Sequence, residues 1–152
     1  MPLFIETEIL ISAPTARVWA VLLDFERHAE WNPFVRAIVG EARPGARLSL
    51  AVQPPGGRIM RFRPRVLRVE ANRELRWLGQ LLFPGLLDGE HYFCLEDLDD
   101  AGTRLVHGER FSGVLLAPLR ASLAEPTRKG FETMNQALKA RVEQKEVLAC
   151  PI

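Results

Sequence analysis

Residues 104–113 read RLVHGERFSG, and the fold turns on how this stretch is read. With a period of two, one face carries Leu105, His107, Glu109 and Phe111, and the other Arg104, Val106, Gly108 and Arg110. Successive side chains of a strand point to opposite faces. Two ionisable groups therefore share a face with two large apolar ones. Either they line a cavity, or an arginine, a backbone group or a bulge accounts for them. Buried ionisable groups without partners are uncommon.

The preceding run, EHYFCLEDL, pairs with this one as a hairpin across DDAG (99–102). That hairpin brings Glu90 and His91 near residues 109–112. His91 alternates with Phe93 and Leu95, so His91, His107 and Glu109 form a polar cluster on an apolar wall. After Gly113 the pattern becomes helical. VLLAPLRASLAEP gives a short helix. PTRKGFETMNQALKARVEQ gives a helix of roughly five turns, with Pro126 in its first turn and Phe131, Met134, Leu138 and Val142 on one stripe. Gly130 weakens that helix by about 1 kcal/mol relative to Ala, which suggests that a bulkier residue would clash there.

Upstream, LFIETEILI (3–11) reads as a strand. Pro14 suits a first helical turn, with Ser12 or Ala13 as cap, and Val18, Trp19, Val21, Leu22 and Leu23 form an apolar helical stripe. A second short helix over 26–30 leads to Trp31, Asn32 and Pro33. From Val35 to Ser112 the signals are strands and turns. RLSLAVQ alternates Leu48, Leu50 and Val52 against Ser49 and Ala51. RIMRFRPRVLRVEA reads as one long strand, with Pro64 marking an edge or bulge. ELRWLGQL places Leu75, Trp77 and Gly79 on one face. The order is strand, two short helices, about six antiparallel strands and a long helix. An antiparallel sheet must have its apolar face covered, and the last helix is the only element large enough to do so.

The 152 residues suit one domain, expected over 1–148 with a tail at 149–152. A net charge of +1 does not argue for nucleic acid or membrane. Two cysteines, Cys94 and Cys150, make no disulfide framework, and the N-terminus lacks a signal-peptide pattern. A cytoplasmic location is the expectation. No apolar run approaches the ~18 residues of a membrane span.

The order of elements resembles the START-like helix-grip proteins, in particular the polyketide cyclase/dehydrase-like branch of the SRPBCC superfamily. The resemblance rests on Ile11-Ser-Ala-Pro14 with Val18-Trp19, Trp31-Asn32-Pro33, Leu75-Arg-Trp77-Leu-Gly79, Asp88-Gly-Glu-His91, and Phe131 with Met134-Asn135. It covers about residues 3 to 145. It implies an α+β helix-grip fold, with a curved antiparallel sheet of about seven strands wrapped around the C-terminal helix and a ligand cavity between them.

The expected ligand is a small, largely hydrophobic molecule, lipid-, polyketide- or aromatic-like. The expected binding residues are Trp31, Asn32, Phe62, Trp77, His91, Phe93, His107, Glu109, Phe111, Phe131, Met134 and Leu138. For the tryptophans and the last-helix stripe, core packing is the plainer alternative. Two other functions stay open. One is a cyclase/dehydratase-type enzyme, with Glu109 and His107 or His91 as acid–base candidates. The other is partner binding through the arginines between Arg58 and Arg76, whose plainer reading is a solvated sheet face. Nucleic acid is not expected as a partner, and a homodimer is left open. Two histidines and a carboxylate are also a zinc or iron donor set, but their spacing is not that of a tight ligand motif. No metal and no cofactor is expected.

Overall fold

The computed structural model describes residues 1–148, the last four by their backbone alone. Cys150 and the expected tail lie outside the described residues. The chain runs β1 (Leu3–Ile11), α1 (Thr15–Leu23), a 3₁₀ turn (Phe25–Arg27), α2 (His28–Trp31), β2 (Val35–Val39), β3 (Ser49–Val52), β4 (Met60–Phe62), β5 (Arg65–Glu70), β6 (Glu74–Gln80), β7 (Asp88–Asp97), β8 (Thr103–Ser112) and α3 (Leu116–Leu148). Five strands form one sheet in the order β1-β8-β7-β6-β5, and β2-β3-β4 form a second. All pairings are antiparallel. The α+β helix-grip expectation holds, with eight strands for the expected seven.

The extra strand comes from Pro64. The stretch 58–71 is not one strand: β4 and β5 belong to different sheets. Pro64 offers no N–H to a ladder, but its carbonyl accepts from Leu48 N–H at 2.9 Å, and Val66 exchanges bonds with Gly45 and Ala46. The chain thus changes sheets at the proline. A second expectation also needs correcting. Pro14 is the cap of α1, with extended ψ of 156°, and not its first turn.

Pro126 lies inside α3, so the two expected C-terminal helices are one. A proline inside a helix removes a bond to the carbonyl four residues back. Here that carbonyl belongs to exposed Ser122, where water can take it up.

The long helix lies across the inner face of the five-stranded sheet. Phe131, Met134, Leu138 and Val142 are buried there against Ile5, Leu75, Phe93 and Leu105. Its C-terminal half is pinned by polar contacts. Glu143 accepts from Ser12 N–H at 2.8 Å, and Lys139 donates to Leu10 O at 2.9 Å. Arg141 pairs with Glu30 at 2.7 Å.

Gly130 is explained by a neighbour. A Cβ there would stand 2.3 Å from the ring of Phe34, which also meets Phe131 edge-on at 5.7 Å. Gly130→Ala gains about 1 kcal/mol of helix propensity but forces Phe34 aside, an overpacking cost of about 1–3 kcal/mol. We expect a net loss of stability and a lower melting temperature. A higher melting temperature would show that Phe34 moves away freely and does not set the seat of the helix.

Candidate functional site

Beyond Phe131 the helix stripe runs out. Going backwards along α3 in steps of four, the inward positions are Thr127 and Leu123, and a hole opens above them. The cavity measures about 330 Å³ and lies between α3, the ends of β6, β7 and β8, and the small sheet. Leu50, Val52, Phe62, Trp77 and Phe111 supply much of its apolar wall. Among the described residues, His91 and Glu109 are the only ionisable ones that line it.

The hairpin register sets those two side by side, with His91 opposite Glu109 and Gly89 opposite Phe111. Gly89 makes room for the carboxylate. A Cβ at 89 would fall 2.2 Å from Glu109 Oε2, so Glu109 lies over the backbone of β7. Its Oε1 is 3.3 Å from His91 Nδ1.

Behind this pair runs a buried chain of hydrogen bonds that fixes the protons. Thr7 Oγ1 donates to His107 O at 2.9 Å and accepts from Asn135 Nδ2 at 2.8 Å. Asn135 therefore turns its Oδ1 to His107, and Nδ1–H of His107 donates to it at 2.8 Å. Burial, with His91 nearby, holds the His107 pKa well below 6.5 against the opposing pull of Asn135. The ring is neutral, so its Nε2 accepts. His91 Nε2, 2.8 Å away, must then donate. What remains is His91 Nδ1 facing a carboxyl oxygen. Glu109 and His91 thus stand as a close ionisable pair, and both border the cavity. The two Nε2 atoms address each other, so the cluster does not converge on a metal position.

The rings are stacked as well as bonded. Trp77 lies parallel to His91 at 5.0 Å, and His107 is sandwiched between Phe93 at 4.4 Å and Phe131 at 4.1 Å.

Of the expected binding residues, Phe62, Trp77, His91, Glu109 and Phe111 line the cavity. Phe93, His107, Phe131, Met134 and Leu138 do not: they are packed core behind it. Trp31 is elsewhere, tilted against His28 at 4.8 Å. Asn32 is not a donor at the cavity mouth. Its Oδ1 caps the N–H groups of Phe34 and Val35, and its Nδ2 donates to His28 Nδ1. Sequence reasoning missed Leu50 and Val52, although their alternation in β3 was the signal. It also missed Leu81 and Leu87, which sit in a loop without periodicity, and Leu123 and Thr127, which were assigned to a separate helix.

The buried histidines make stability depend on pH. His28 is held below 6.5, chiefly by burial, against the opposing effects of the Leu22 carbonyl and Asp24. His107 shifts the same way. The unfolded chain takes up protons near pH 6.5 that the folded chain refuses. Stability is thus full above 6.5, and each ring removes up to about 1.4 kcal/mol per pH unit below it. The loss continues until the ring protonates in the folded state. The low-held carboxylates, Glu30 and Glu143, act only below their ordinary 4.5. Urea melts at about pH 7.5 and 5.5 should show this loss. Ring ¹⁵N spectra should show His107 as the Nδ1–H tautomer, with no titration around 6.5. Equal stability at both pH values, or a His107 that titrates normally, would contradict the bonding scheme.

Comparison with known proteins gives this arrangement relatives. The chain resembles the di-domain aromatase/cyclase StfQ of the steffimycin biosynthetic pathway, with a TM-score of 0.77 and 14% identity over 96% of this chain. That match spans 52% of StfQ, so the chain corresponds to about half of it. A START superfamily protein from Mycobacterium smegmatis gives 0.75 and 21% identity over 93% of this chain and 98% of that one. The Zhui aromatase/cyclase from Streptomyces sp. R1128 gives 0.73 and 20% over the whole of both. No curated protein matches the chain in sequence. At such identities the structures speak for the fold alone. The sequence model of one family, however, matches residues 4–143, nearly the whole chain. The chain belongs to the polyketide cyclase/dehydrase and lipid transport family.

Proposed function

We propose that the cavity binds a small, flat, largely apolar molecule whose single polar group meets the Glu109–His91 pair. One observation carries this reading: a hole of about 330 Å³ with an apolar wall and one ionisable pair in it. Small-molecule sites typically measure ~300–1,000 Å³ and combine apolar lining with a few polar groups. The family description, which covers cyclases, dehydrases and lipid transport, agrees with it. Trp77 and Phe62 offer aromatic faces to a planar ligand. A hydroxyl on that ligand can donate to the Glu109 carboxylate.

The close Glu109–His91 contact at the cavity wall favours a second reading, acid–base catalysis. In a dehydration, the Glu109 carboxylate takes a proton from the carbon next to a carbonyl, and the β-hydroxyl leaves as water with a proton from His91. The pair then resets by passing the proton across the 3.3 Å contact. The buried His107–Asn135–Thr7 chain keeps His91 oriented meanwhile.

Titration with 2-naphthol beside naphthalene separates ring burial from polar recognition. We expect both to bind, and Val52→Trp, which fills the cavity, to abolish both while the fold is kept. Glu109→Gln preserves the side-chain size and should weaken 2-naphthol by about tenfold while leaving naphthalene unchanged. If neither probe binds, or Val52→Trp binds as well as the parent, the cavity reading fails. Dehydration of a β-hydroxy aryl ketone, followed by enone absorbance, tests catalysis. Turnover that falls about 100-fold or more in Glu109→Gln establishes the enzyme reading. No turnover in the parent protein removes it and leaves a carrier.

A further inference from the structure

We infer that the rim of the cavity is a docking surface for an anionic lipid bilayer. Two stretches make the rim. On one side, Ile59, Met60 and Phe62 are exposed along β4 and the turn before it. On the other, Leu81, Leu82 and Phe83 are exposed on the loop after β6. Met60, Phe62 and Leu81 also line the cavity, so the patch encloses its opening. Leu82 is 85% exposed and Phe83 56%. Leu82 has φ of 61°, a left-handed conformation that costs a leucine energy, and it holds an apolar side chain out in water. Val114, 75% exposed, extends the patch, since its N–H donates to Gly85 O at 3.0 Å.

Charge is the second, independent observation. Between Glu41 and Glu70 the chain has seven arginines and no Asp or Glu. Residues 79–87 carry no charge, and 112–124 carry only Arg120. All 19 acidic residues therefore lie outside these segments, with 12 of the 20 basic ones. Arg43 and Arg68 pair with the flanking Glu41 and Glu70 and Arg120 donates to Met1 O, so the cationic groups beside the rim are chiefly Arg58, Arg61 and Arg63. Arg58, Arg61 and Arg63 interleave with Ile59, Met60 and Phe62 and are exposed. None of the three forms an ion pair among the described residues. By strand alternation Arg61 points away from the cavity-lining face that Met60 and Phe62 share, so the arginines flank the apolar rim, and an apolar rim flanked by guanidinium groups suits the boundary between phosphate headgroups and acyl chains. An acidic protein would satisfy the arginines alone, whereas a bilayer also takes up Leu82 and Phe83. An apolar molecule could then pass from bilayer to cavity without crossing water. The docking stands whether or not the ligand-binding reading holds.

The test is co-sedimentation with vesicles of phosphatidylcholine and of an equal mixture of phosphatidylcholine and phosphatidylglycerol. We expect binding to the mixture only, declining as salt is raised. Two variants probe the two observations: Leu82→Asp/Phe83→Asp and Arg58→Glu/Arg61→Glu/Arg63→Glu. All five positions are exposed, and far-ultraviolet spectra confirm folding before use. Each variant should weaken binding roughly tenfold or more. No binding to the mixture, equal binding to both vesicles, or binding that neither variant alters overturns the proposal. Retention on polyglutamate without vesicle binding also overturns it, in favour of an acidic protein partner.

Discussion

The hydrogen bond from His107 Nδ1 to Asn135 Oδ1, 2.8 Å long, joins β8 of the five-stranded sheet to the long helix. Three structural facts depend on it. It seats α3 across β8, because Asn135 is tied at the same time to Thr7 on β1. It fixes the helix rotation, which puts Phe131 flat on the His107 ring and Met134 and Leu138 into the sheet. And it sets the His107 tautomer, from which the Nε2 proton of His91 follows. A buried polar group left unpaired costs several times what a neutral hydrogen bond contributes. The bond therefore acts more through the alternatives it excludes than through its own strength.

The cavity follows from where that packing stops. A single helix cannot fill a curved sheet along its whole length. From Phe131 to Val142 the stripe is large and the core is dense. Before Phe131 the inward positions are Thr127 and Leu123, and Gly130 has given its space to Phe34. The chain's change of sheet at Pro64 moves β4 away from β5 and opens a flank. The hole thus lies between a helix that thins and a sheet that divides. Gly89 serves the same end at smaller scale, letting the Glu109 carboxylate lie over β7.

Much of this was legible in the residues. The period of two in RLVHGERFSG put His107 and Glu109 on the inner face, and the short DDAG turn brought His91 opposite Glu109. Those are local rules, and they hold because strand alternation and hairpin register leave few choices. The clash expected at Gly130 was also legible, though not its partner. What the sequence did not disclose depends on distant neighbours. Asn32 looked like a polar group at a mouth, but it closes the α2–β2 corner. His107 looked like a cavity residue, yet Phe93 and Phe131 enclose it. Pro126 looked like a helix start because its missing N–H suits one. It is tolerated inside α3 because the freed carbonyl faces solvent. Leu81 and Leu87 belong to a loop, where no period identifies a wall.

The central claim is that the hole beyond Phe131 is a ligand site whose polar end is the Glu109–His91 pair. A crystal structure with 6-bromo-2-naphthol tests it most directly, because bromine locates the ring by anomalous scattering. The account predicts one bromine site within the cavity, the ring against Trp77 and Phe62, and the hydroxyl within hydrogen-bonding distance of a Glu109 carboxylate oxygen. Bromine found only outside the cavity, or a cavity closed by its own side chains, would contradict it.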